Sequence, residues 1–109
     1  MENVLLLRPY YGINVHSDMH GDLGVSDYLP HVFPDIYMVL GASLLGLTDH
    51  IALDVIDANA EKLFPKQVME KIDRKYNYII IKAAAPTVKY DIDFAESLKI
   101  KFQDARVVL

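Results

Sequence analysis

Four short apolar runs, separated by segments of helical spacing, organise the chain. Val4-Leu5-Leu6-Leu7 is continuous and apolar, has the length of a buried parallel strand, and is ended by Pro9 and Gly12. A second run, Ile51 to Ile56, is broken only by Asp54, and a third, Tyr78 to Ile81, is bounded by Asn77 and by Ala83-Ala84-Ala85-Pro86. Arg106-Val107-Val108-Leu109 reads as a fourth. Strands alternating with helices predict an α/β fold, a flavodoxin-like (Rossmann-like) three-layer sandwich on a parallel sheet. With the four predicted strands numbered along the chain, the expected order is 2-1-3-4.

The first helix is expected from Asp35, a suitable N-cap, with Ile36, Val39, Leu40, Ser43, Leu44 and Leu47 along one stripe. Its dense apolar content predicts a well-covered helix. Pro65 starts the second, where Val68, Met69, Ile72 and Tyr76 face inward and Lys66, Glu70, Lys71, Arg74 and Lys75 face water. The third runs from about Tyr90 to Phe102 on a stripe of Phe94, Ala95, Leu98 and Phe102. Asp91 and Asp93 stand near the positive end of its dipole, Lys99 and Lys101 near the other.

Two features break the alternation. Residues 9–34 form a connection far longer than usual between a strand and a helix, which reads as a binding loop or a disordered segment. The chain also stops inside a strand where a parallel sheet normally continues, so residues 1–109 read as a single domain excised from the N-terminus of a longer enzyme.

Charge and composition narrow the function. The net charge of -4 divides into -8 over residues 1–61, where Arg8 is the only basic residue, and +4 over the remainder. The basic residues there are interleaved with acidic ones on helix faces, which disfavours nucleic acid as a partner. No apolar run reaches membrane-spanning length and Met1-Glu2-Asn3 does not open a secretory signal, so a cytoplasmic protein with no membrane partner is expected. The chain has no cysteine, which removes disulfides, thiolate ligands and iron–sulfur ligation from this polypeptide.

In an open parallel sheet a ligand binds beyond the carboxyl ends of the strands, where strand order reverses. That rule selects Pro9, Tyr10, Tyr11 and Gly12 after the first strand, and Ala83, Ala84, Ala85, Pro86 and Thr87 after the third. Small residues there let the backbone approach a flat ligand, and Thr87 offers a hydroxyl; an ordinary tight turn is the plainer reading of 83–87. Within the long loop His16, Asp18, His20 and Asp22 alternate, and on one extended face they would suit zinc or iron, against the alternative of a solvated polar loop. His31 reads as a loop residue and His50 as a helix C-terminal residue favoured by the dipole. No Gly-rich phosphate loop, serine nucleophile elbow or acidic receiver pair is present.

Val4-Leu5-Leu6-Leu7-Arg8-Pro9-Tyr10-Tyr11, Val55-Ile56-Asp57-Ala58-Asn59-Ala60-Glu61 and Ala85-Pro86-Thr87, in this order and register, together resemble the N-terminal cobalamin-binding domain of radical SAM enzymes. The resemblance spans nearly the whole chain. It implies a non-catalytic module that holds cobalamin at the carboxyl edge of the sheet and presents the corrin face to a downstream radical SAM domain of the same polypeptide. S-adenosylmethionine and a [4Fe-4S] cluster belong to that later domain. It further implies that Tyr10 and Tyr11 pack on the corrin edge, Ala83 to Thr87 line the slot for the nucleotide tail, and the long loop closes over the ring. In related methyltransferase and mutase domains a loop histidine ligates cobalt from below. Asp18-Met19-His20-Gly21-Asp22-Leu23-Gly24 is similar to that loop with one residue too many, so His20 is either a cobalt ligand or a loop residue with no axial role. Two other readings stay open: a degenerate Rossmann-like interaction or structural domain without a corrin, and a small metal-binding domain.

Overall fold

The computed structural model describes residues 1–12, 15–18, 21–25 and 36–109. β1 (Glu2–Arg8) pairs on both sides, with β4 (Ile51–Asp57) and with β5 (Tyr78–Ile81), which is why its run Val4–Leu7 carries no polar side chain. β6 (Arg106–Val108) adds parallel to β5, giving an all-parallel sheet in the order β4-β1-β5-β6, the predicted 2-1-3-4. β2 (Val15–Asp18) and β3 (Gly21–Val25) form a separate antiparallel hairpin inside the long connection, an element that residues 9–34 did not announce.

One face of the sheet is closed by two helices. Leu5 and Leu7 register with Ile79 and Ile81, and these four pack against Val68 of α3 (Pro65–Lys71) and Phe94, Ala95 and Leu98 of α4 (Val88–Lys101). The α4 stripe is the predicted one; of the predicted α3 stripe, Val68 and Met69 lie on the helix, while Ile72 and Tyr76 turn inward beyond its end at Lys71, and Lys66, Glu70, Lys71, Arg74 and Lys75 are exposed as expected. At the start of α3, which Pro65 opens without an N–H of its own, the Gln67 side chain accepts the Phe64 N–H at 2.9 Å. Asp54, the polar break in the second strand, lies on edge strand β4. It accepts from Arg74 Nη1 at 2.8 Å and from the Tyr76 hydroxyl at 2.7 Å, latching the segment after α3 to the sheet.

The opposite face differs from expectation. Val4 and Leu6 are buried there beside α1 (Ile36–Gly46), whose Met38 turns inward. The predicted stripe does not: Leu40 is 57% and Leu44 70% exposed, Val39 and Leu47 are exposed too, and Leu47 lies past the helix end. α1 is apolar nearly all round, so spacing alone does not select its inward side. Within the four-stranded sheet it lies over β4 and β1, it also touches β2, and Val55 and Val108 on the two edge strands stay exposed. His50 is a turn residue at φ +68°, beyond the end of α1, whose carbonyl accepts the Glu2 N–H at 2.7 Å.

Leu5 has no exposure and Leu44 has much, so Leu5→Ala should cost ~2–5 kcal/mol in urea unfolding, while Leu44→Ala should stay within ~0.5 kcal/mol of the parent.

Candidate functional site

The connection after β1 leads outward to β4, and the connection after β4 crosses back over β1 to β5. The strand order therefore reverses between β1 and β5. The two chains leave the sheet side by side there, with the Lys82 N–H donating to the Leu7 carbonyl at 2.8 Å. Residues 9–12 and 83–87 are thus brought to one crevice.

A single carboxylate joins them. Asp91, in the first turn of α4, is 0% exposed. Its Oδ1 accepts from the Tyr11 hydroxyl at 2.6 Å, and its Oδ2 accepts from the Thr87 hydroxyl at 3.0 Å and the Ala84 N–H at 3.2 Å. Burying an ion without donors is prohibitive, so the fold supplies three, together with the positive end of a helix. Thr87 belongs to the short 3-10 turn Ala85–Thr87, closed by its N–H to the Ala84 carbonyl at 3.0 Å. The Tyr11 ring stands edge-on to Phe94, with centroids 6.5 Å apart, and lies 5.5 Å from Tyr90. Burial, then the hydrogen bond to Asp91 and its charge, push the Tyr11 hydroxyl well above the usual tyrosine range.

Tyr10 turns the other way. Its ring is 5.2 Å from Phe64 and lies under the Lys62 ammonium at 5.0 Å, just after the short α2 (Ala58–Glu61). Gly12 sits at φ +95°, a conformation that side-chain-bearing residues rarely adopt, beside the Phe64 ring. Pro9 is buried. Tyr10 and Tyr11 are accordingly splayed anchors of the loop, each ring already engaged by the protein. Ala85 and Pro86 are exposed at the rim, while Ala83, Ala84 and Thr87 are half-buried. Beside Tyr11 a cleft of about 230 Å³ opens between α3 and α4, floored by Met69 and Phe94.

A second polar group went unforeseen. Arg8, buried at the end of β1, donates to Asp57 Oδ2 at 3.3 Å, while Asp57 Oδ1 accepts the Ala60 N–H at 3.0 Å and caps α2. The parallel register Arg8↔Asp57 explains the pair. Asn59, two residues on, is buried at 1% exposure, and neither its Nδ2 nor its Oδ1 has a hydrogen-bond partner among the described residues.

His20 and His31 lie outside the described residues. His16 and Asp18 fall on β2 and Asp22 on the antiparallel β3, so these three do not share one extended strand. Among the described residues no three His, Cys, Asp or Glu are grouped to hold a metal ion, and no helix is long and apolar enough to cross a membrane. β3 lies against the Ala85–Thr87 turn. Comparison of the chain with protein-family models, curated proteins and solved structures finds no match.

Tyr11→Phe removes one of the three donors to Asp91 and should cost ~1–3 kcal/mol in urea unfolding at neutral pH. An unfolded tyrosine loses its proton near pH ~10, whereas folded Tyr11 keeps its proton above that. Above pH ~10 the folded chain binds more protons, so the stability contributed by Tyr11 is complete below pH ~10 and falls as pH rises. Tyr76, raised by burial and by its bond to Asp54, acts in the same direction. The alkaline decline in the urea midpoint should therefore be shallower in Tyr11→Phe than in the parent, without vanishing.

Proposed function

We propose that the chain is the cobalamin-binding module of a radical SAM enzyme and holds the corrin at the carboxyl edge of the sheet, for a downstream barrel carrying the iron–sulfur cluster and SAM. The observation that carries this reading is the joining of the two switch-point loops by buried Asp91. The site is organised before any ligand arrives, which lowers the ordering cost of binding.

The residues present suit a broad, flat ligand. Ala85 and Pro86 offer an exposed rim with no side chain long enough to bar a ring from the backbone. Thr87 donates to Asp91 and keeps its oxygen lone pairs as acceptors at the crevice. Cobalamin supplies the cobalt chemistry when bound, and this chain binds and orients it. Tyr11 and Asp91 hold the loop positions. Tyr10 ties the loop after β1 to the α2–α3 connection, and the hairpin β2–β3 stands where a cover would be needed.

That hairpin also favours a second reading. Because β3 rests on the Ala85–Thr87 turn, it would serve equally as a permanent lid on a degenerate edge used for interaction or structure.

Titration of hydroxocobalamin into the chain, followed by visible absorbance, separates the two. Saturable binding is expected, weakened about tenfold or more in Ala85→Trp, whose indole would fill the rim where a flat ligand lies. An unchanged spectrum at all concentrations would overturn the cobalamin reading and leave the interaction domain.

A further inference from the structure

The carboxyl edge carries a polar group that the internal network does not use. Asn59 is fully covered, and its carboxamide has an acceptor and two donors without partners among the described residues. Asp57, two residues before it, takes the Arg8 guanidinium on one oxygen and the Ala60 N–H on the other and makes no bond to the Asn59 carboxamide. Leaving an amide dry and unbonded is unfavourable, and a leucine of similar volume would avoid the cost at this place. The same segment reaches the loop after β1, where Lys62 and Phe64, a few residues on, flank Tyr10.

We propose that Asn59 reads a primary carboxamide of the ligand. The complement of a carboxamide is another carboxamide, which pairs with it at two points, each group donating one N–H and accepting one. A carboxylate satisfies only the donors and sets its charge against Oδ1. Resting on the cobalamin reading above, the group recognised is one of the peripheral carboxamides of the corrin ring. Binding then requires the side chain to change rotamer or its cover to shift, and the ligand supplies its missing hydrogen bonds.

The test compares the chain with Asn59→Leu and Asn59→Asp, titrating each with cobinamide and with cobyrinic acid, its carboxylate counterpart, beside thermal melts without ligand. Asn59→Leu should bind cobinamide about tenfold more weakly while melting at the same or a higher temperature, because the unbonded amide is gone. Affinity for cobyrinic acid should change by less than about twofold in Asn59→Leu. Asn59→Asp, close in shape, covers the case in which leucine disturbs folding, and should also lose affinity for cobinamide. Unchanged cobinamide affinity in the variants, or equal weakening toward both corrinoids, would overturn the role of Asn59 while leaving the cobalamin reading standing. Failure of the unsubstituted chain to bind either corrinoid would overturn both.

Discussion

A carboxylate taken wholly out of water has to be given hydrogen-bond donors, and Asp91 draws its three from both loops of the switch point. That requirement ties the start of α4 to the 3-10 turn before it and to a tyrosine 80 residues away in sequence. With Tyr11 and Thr87 so held, the crevice between β1 and β5 has a defined floor and rim. The pairing of Arg8 with Asp57 does the same work one strand over, fixing the start of α2 against the end of β1. The carboxyl edge is therefore held by buried polar contacts, while the body of the sheet is held by apolar burial on the α3–α4 face.

The two faces of the sheet are unequal. Leu5, Leu7, Ile79 and Ile81 are sealed under α3 and α4, whereas among the described residues the other face is covered by α1, lying over β4 and β1. A parallel sheet is ordinarily covered on both sides, and the exposed Leu40, Leu44, Val55 and Val108 mark the side where cover is thin. The site at the carboxyl edge depends on the sealed face, because Tyr11 packs on Phe94 and Asp91 lies in the first turn of the helix that supplies it.

Much of this architecture is legible in the residues themselves. The strands stand out because buried parallel strands are continuous apolar runs, and the order 2-1-3-4 brings loops 9–12 and 83–87 together as expected. The stripes of α3 and α4 are readable because charge marks their outer faces. α1 has no such mark, so its inward side is decided by the sheet beneath it. The hairpin β2–β3 is short and glycine-interrupted, which hides its alternation. Asp91 is recognisable as a partner of the helix dipole, but its role as a hub depends on donors remote in sequence. The pairing of Arg8 with Asp57 likewise appears only once the register of β1 and β4 is known, and the orphaned carboxamide of Asn59 only once burial is.

On the proposed reading a corrin sits over the carboxyl edge between β1 and β5. Adding paramagnetic cob(II)alamin to nitrogen-15-labelled chain and recording amide line broadening tests it directly. Broadening is expected to concentrate at residues 10–12, 83–85 and 87, to reach Asn59, and to fade toward the amino edge near Asn77 and His50. Broadening centred on α1 and the exposed face, or spread evenly over the chain, would contradict it.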